Sequence, residues 1–377
     1  MRWYYTAHFT RYEASLRKLN ITLTTRHDVL GEDANPTTRA ASAAAKSHAA
    51  RAHDPFNISR RIDILSRPLV TALPSHAAES TKTPQSLETP FLSFNLALLD
   101  NASFEYSFLT TFFSSSHHVL SRHHTTMFTP VYNLGHALTR TLTSDSFDAL
   151  GVLLALRLTS RLAFILQRRK IPVLDGYINA TNMLLWPRFQ QILDANCDSL
   201  RRLTASLPNR AVGASAAASA FATLSGGTGS AAAATQSTAP HPVTQRFANF
   251  LASVLALSGA GSAGASDVQP DAATEAAAAA AAAANDGLGG DDGPVAASVS
   301  RLRADFEAFL AKAAAGFGPG DKARRERDRF LANNYSLVLT VIADARGKLA
   351  AEQREHFESL RGVLVGSGGG EGERERR

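Results

Sequence analysis

Apolar side chains recur at three- and four-residue steps along much of this chain. Tyr5, Phe9, Tyr12, Leu16 and Leu19 form one such stripe, which predicts a helix in an N-terminal segment, residues 1–30. The spacing returns through Phe91, Phe94, Leu98, Tyr106, Leu109 and Phe113, and again through Phe128, Val131, Leu134, Leu138 and Leu142, with Pro130 starting or kinking that second helix. A third helix carries Phe147, Leu150, Leu154, Leu158, Leu162 and Ile165. Ser146 stands at its expected N-cap, Arg168, Arg169 and Lys170 suit the negative end of its dipole, and Pro172 stops it. A fourth, from 173 to 203, places Leu174, Tyr177, Leu185, Phe189 and Ile192 on its core side, with a kink at Pro187. Residues 91–205 therefore read as one helical bundle.

Beyond it, Phe247, Phe250, Val254 and Leu257 mark a short helix over 243–258. Val299, Leu302, Phe306, Phe309, Ala313 and Phe317, followed by Leu331, Tyr335, Val338, Ile342, Ala345 and Leu349, predict a further bundle over 298–362, its last helix running on towards Leu360. Between these periodic stretches the pattern is lost. Residues 31–90, rich in Ala, Ser, Thr, Pro and His, read as a mostly disordered connector with one apolar patch from Ile58 to Val70. Residues 206–242 and 259–297 read as low-complexity insertions, the second holding the alanine run Ala276 to Ala284, and 363–377 as a disordered tail. No comparable stretch alternates with period two, so the predicted class is all-α: elongated, stacked helical bundles with disordered insertions.

Composition changes this picture little. The chain of 377 residues is 45% hydrophobic and 19% charged, enough apolar material for one long or two ordinary cores. Cys197 is the only cysteine, which excludes an internal disulfide and a cysteine-based zinc site and suits a reducing compartment. The N-terminus lacks the uninterrupted apolar core of a signal peptide, so a cytosolic chain is expected. The most apolar window, Phe147 to Leu166, is interrupted by Arg157 and Arg161, which argues against a membrane span. Thirty-nine basic residues face 33 acidic ones, a net charge of +6 spread along the helices.

Few residues group as chemistry requires. Gly259, Gly261 and Gly264 spell G-x-G-x-x-G, but after an amphipathic helix rather than a strand, so they read as a flexible linker. His117, His118, His123 and His124 form two pairs without a nearby carboxylate or thiol to complete a metal site. Cys197, beside Asp194 and Asp198, has no adjacent cation to activate its thiol, although Arg201 lies one turn on. Arg324, Arg325, Arg327 and Arg329 would suit nucleic-acid or lipid phosphates, but Asp321, Glu326 and Asp328 alternate with them. The remaining oddity is Leu184-Leu185-Trp186-Pro187-Arg188-Phe189, where a proline and a bulky tryptophan interrupt a good helix. Leu185, Trp186, Pro187, Arg188 and Phe189 are thus either a kinked core turn or a protein-docking surface.

That hexapeptide, with Arg168-Arg169-Lys170-Ile171-Pro172-Val173-Leu174-Asp175 before it, resembles the vacuolar protein sorting-associated protein 52 family. The stretch from Ser93 to Tyr106, through Phe112 and Phe113, resembles the segment preceding it in the family. Gln245 to Phe250 and Phe330 to Tyr335 resemble segments further on, in the same order. The likeness covers the middle and C-terminal portion of the family. The coiled-coil region expected ahead of it has no counterpart before Met1, and a Gly/Glu/Arg-rich tail from Gly366 to Arg377 replaces the far C-terminus, so the chain reads as truncated. The resemblance implies a non-catalytic subunit of the Golgi-associated retrograde protein complex, on the cytosolic face of the trans-Golgi network and endosomes, tethering endosome-derived vesicles. It implies sister subunits, SNARE proteins and small Rab-type GTPases as partners, membrane association through those partners, and no cofactor, metal or nucleic acid.

Overall fold

The computed structural model describes residues 1–32, 54–67, 71–113, 116–207, 237–263 and 293–369. Among these residues the regular structure is helical, apart from one isolated parallel bridge between Ile21 and Gln85. The helices are α1 (Arg2–Leu16), α2 (Asp63–Ser66), α3 (Ser75–Ser80), α4 (Glu88–Phe112), α5 (His117–Ser144), α6 (Ala149–Arg169), α7 (Asp175–Ser206), α8 (Pro242–Ala263), α9 (Gly293–Ala315), α10 (Asp321–Ile342) and α11 (Lys348–Gly369). Short 3-10 turns at Ser59–Ile62 and Pro172–Leu174 lead into α2 and α7. The chain divides into two compact units. The first comprises Met1–Asp28, Ser42–Asp194 and Ala256–Pro294, the second Val29–Ala41, Ala195–Leu255 and Val295–Arg377, so the division falls inside α7 and α8.

In the first unit α4 is the central strut, packed by α1, α5 and α6. Phe94 is wholly buried against Phe9 and Tyr12 of α1, and Phe128 of α5 against Tyr5. By length and composition α6 could cross a membrane, yet its residues from Ala149 to Leu156 are all buried within the protein. The two arginines within its apolar stretch find oxygen partners: Arg157 donates to Ser258 Oγ at 3.4 Å and Arg161 to the Ile64 carbonyl at 3.3 Å. It is a core helix. Gly135 of α5 permits the approach of Tyr177, whose hydroxyl would lie 2.3 Å from any added Cβ and instead donates to Asn95 Oδ1 at 2.7 Å.

In the second unit Phe247 of α8 stacks on Phe306 of α9 at 4.0 Å, with Phe357 of α11 edge-on to it. Asn334, wholly buried in α10, accepts from the His241 backbone N–H at 2.9 Å and donates to the Phe330 carbonyl at 2.7 Å, satisfying both ends of its amide.

Several boundaries differ from the sequence reading. The connector over 31–90 is structured where it is described: α2, α3 and the first turn of α4 lie within it, and Arg61 is pinned there by two carboxylates. The N-cap of α6 is Asp148, not Ser146: its carboxylate accepts from the Gly151 N–H at 2.8 Å, while Ser146 Oγ accepts from the Asp148 N–H at 3.3 Å. Phe113, read as the end of a core stripe, is exposed. Pro130 sits inside α5 rather than at its start, and Pro187 lies inside α7. The last periodic stretch is two helices, because the chain turns after Ile342 and passes Gly347 at φ 107°, a conformation that favours glycine. The α10 and α11 helices then pack on one another as a hairpin. Helix extends into both ends of the 259–297 insertion and into the tail as far as Gly369. The remainder of those insertions, with the alanine run, lies outside the described residues.

Candidate interaction surfaces

The segment singled out by sequence occupies the middle of α7, and the structure divides it by helical face. Leu185 and Phe189, one turn apart, are wholly buried and serve the core. Trp186 is half-buried with its ring edge-on to Phe189 at 5.8 Å, Pro187 is exposed, and Arg188 is half-buried. The Arg188 guanidinium lies 5.0 Å from the centre of the Phe147 ring and donates to the Ser146 carbonyl at 3.1 Å, locking α7 to the start of α6. Burial pulls its pKa down, with Asp145 opposing. Leu185 and Phe189 thus face the core, while Trp186, Pro187 and Arg188 between them reach solvent to different degrees.

The histidine pairs separate. His124 is buried, stacked on Phe128 at 4.6 Å, and its Nε2–H donates to the Ala102 carbonyl at 3.0 Å. Burial depresses its pKa to about 4, against the opposing pull of that hydrogen bond. His117, His118 and His123 are exposed. Among the described residues no group of three or more His, Cys, Asp or Glu comes together to hold a metal. Cys197 is buried, and desolvation followed by the nearby Asp305 carboxylate pushes its thiol up to about 12, so it is protonated at neutral pH. Gly259 and Gly261 lie within α8 and cannot wrap a phosphate as a loop would, while Gly264 lies outside the described residues. Arg324, Arg325 and Arg329 are exposed on α10 beside the Arg327–Asp328 and Lys322–Glu326 pairs, a solvated face of mixed sign.

Two features escaped sequence reasoning. Arg61 donates to both oxygens of Glu88, at 2.9 and 2.8 Å, and to Asp148 at 2.7 Å, with all three side chains largely buried. Burial would lower the arginine's pKa, but Asp148 and Glu88 together hold it above its ordinary range. Gly151 is required beside this cluster: an added Cβ would meet Asp148 Oδ2 at 2.5 Å and Arg61 Nη2 at 2.6 Å. The second is an exposed stripe on α4, where Phe104, Phe108 and Phe112 follow at four-residue steps, the last two rings stacked at 5.4 Å. The four-residue spacing was there to see, but it runs beside the core stripe on the same helix.

The segments that carried the sequence resemblance lie on helices or on the turn between α6 and α7, with Phe113 just past the end of α4. The profile of the family described as "Vps52, C-terminal" matches residues 1–364. The chain is 27% identical over 361 residues to vacuolar protein sorting-associated protein 52 of Schizosaccharomyces pombe, covering 96% of this chain and 59% of that protein. With the Saccharomyces cerevisiae protein of the same name it shares 28% over 362 residues, covering 89% and 50%. With the Homo sapiens homolog it shares 26% over 319 residues, covering 82% and 34%. No solved structure matches. The chain thus spans between about a third and three-fifths of the length of these curated relatives. Since the match runs through the helices of both units, the chain belongs to the Vps52 C-terminal family.

Proposed function

We propose that this chain is the C-terminal helical portion of a vacuolar protein sorting subunit that works by binding. In this reading it serves a complex that tethers endosome-derived vesicles at the trans-Golgi network for retrograde transport. The observation that carries the proposal is the family match over residues 1–364, on helices whose faces suit docking more than turnover. Several of the titratable groups that burial perturbs are engaged in structure: Arg61 in its carboxylate pair, His124 on a carbonyl, Tyr177 on Asn95. Sister subunits, SNARE proteins and small Rab-type GTPases are the proposed partners, and the cytosolic face of the trans-Golgi network and endosomes the proposed location. The exposed side of the α7 motif, Trp186, Pro187 and Arg188, is the proposed contact on this segment.

Affinity capture of the tagged chain from its source cell, with identification of the bound chains, tests this. Stoichiometric recovery of the other subunits of one tethering complex is expected. Recovery of the chain without them, or turnover of a small molecule by the pure protein, overturns it. Trp186→Ala sharpens the test. Because the ring is only half-buried, melting should fall by no more than about 1–2 kcal/mol in stability while capture weakens. A loss nearer the ~3–5 kcal/mol typical of a buried aromatic, with capture intact among folded molecules, would return Trp186 to the core.

A further inference from the structure

Six of the seven exposed aromatic side chains among the described residues fall in two short stretches: Trp3 and Tyr4 at the start of α1, and Phe104, Phe108, Phe112 and Phe113 at the end of α4. Packing brings the two stretches to one end of the first unit. Tyr5 donates to Glu105 at 2.8 Å and lies 4.6 Å from the Phe128 ring, whereas Phe9 and Tyr12 pack further back on Phe94. Hence α1 runs against α4 and its first turn heads towards Phe112. Trp3 is 81% exposed, Phe104 72% and Phe112 67%.

The charge at this end has one sign. Residues 1–12 contain Arg2, His8 and Arg11 and no carboxylate. Along residues 101–124 the exposed arginine is Arg122, and the only carboxylate, Glu105, is buried under the Tyr5 hydroxyl. The nearest exposed carboxylate on α4, Asp100, is paired with Arg169 at 2.8 Å, a full turn before Phe104. Like charge makes a second copy of this end a poor occupant. Trp, Tyr and Phe on an uncovered face are side chains that settle at a lipid–water boundary, and the exposed arginines among them, with no exposed carboxylate between, complement an anionic lipid surface.

We propose that this end of the first unit docks directly on an anionic lipid bilayer, its aromatic rings entering the boundary between headgroups and acyl chains and its arginines meeting the lipid phosphates. This contact is independent of partner subunits and goes beyond the tethering role. It is tested by sedimenting the purified chain with vesicles of phosphatidylcholine alone and of phosphatidylcholine mixed with phosphatidylserine. Binding is expected on the mixed vesicles, weaker on the neutral ones, and falling as salt rises. The double variant Phe108→Ser, Phe112→Ser should bind about tenfold less tightly, because two partly inserted rings are lost, and Arg122→Glu about fivefold less. Arg324→Glu, on the mixed-charge face of α10, should bind as the parent does.

A second measurement does not rely on those variants folding. In a Trp186→Phe background Trp3 is the sole tryptophan, and its emission should shift to shorter wavelength on phosphatidylserine vesicles and be quenched by brominated acyl chains. The proposal is overturned by an unshifted Trp3, by a double variant that binds as well as its parent, or by equal binding to neutral vesicles. It is overturned equally if the double variant keeps vesicle binding and loses a co-captured protein, which would make this end a protein contact.

Discussion

The two ends of α4 have much the same composition and opposite fates. From Glu88 to Leu99 nearly every residue is buried: Phe91, Phe94, Leu96, Leu98 and Leu99 lie beneath α1, α5 and α6, and Glu88 itself closes on Arg61. From Asn101 onwards only the face bearing Ala102, Tyr106 and Leu109 is covered, and Phe104, Phe108 and Phe112 point away from the core. The contrast separates two uses of an aromatic residue. Where other helices surround the strut, phenylalanine contributes to folding. Where they do not, it is left exposed on the surface, and a stripe of three invites an occupant.

The comparison can be broken most severely at the buried end. Arg61→Ala strands two carboxylates, Glu88 and Asp148, in a site that Gly151 keeps tight, and should cost about 3–5 kcal/mol in chemical denaturation. A cost below ~1 kcal/mol would mean that the cluster is solvated rather than buried.

On α5, against the Ala102 carbonyl midway along α4, His124 gives a pH test. Its imidazole is held at about 4 when folded, whereas in the unfolded chain it titrates near 6.5, so between those values the unfolded state binds the proton first. Stability contributed by the neutral ring is complete above the unfolded value and is lost as pH falls from about 6.5 towards 4, by up to roughly 3 kcal/mol. A protonated ring would also carry an Nδ1–H with no acceptor among the described residues. His124→Gln should flatten much of that slope. His136 and His241, which burial also depresses, contribute to what remains. An unchanged slope in the variant would show that His124 is not the group responsible. At the exposed end the smallest effect is expected: Phe108→Ser should change stability by no more than about 0.5 kcal/mol, the usual range for a surface site.

How much of this was legible depends on the length scale of each signal. Helical periodicity is local, so the cylinders and most of their buried faces followed from residues such as Leu154, Phe189 and Val338, all wholly buried. The break between α10 and α11 was hidden because Ile342 and Leu349 are seven residues apart, a spacing that continues one apolar seam, and only Gly347 marks the turn. The cap of α6 was misplaced because Asp148 is held by Arg61, 87 residues earlier, a distance over which no periodicity carries information. The α4 stripe was passed over for a different reason: Phe91, Phe94 and Leu98 already satisfied one face, and a second apolar face on the same helix looks like more core until its cover is known. In the α7 motif, one helical turn carries both a core face, Leu185 and Phe189, and an uncovered one at Pro187, so a single reading of the whole segment could not fit every residue.

The most direct measurement of the contrast is a pair of thermal unfolding curves, one for Phe94→Ser and one for Phe112→Ser. With Phe94 wholly buried, its variant should melt about 10 °C below the parent, if it folds at all. The Phe112 variant should melt with the parent. Equal losses at the two positions would place Phe112 in a packed interior and contradict the division of α4 into a folding end and an exposed one.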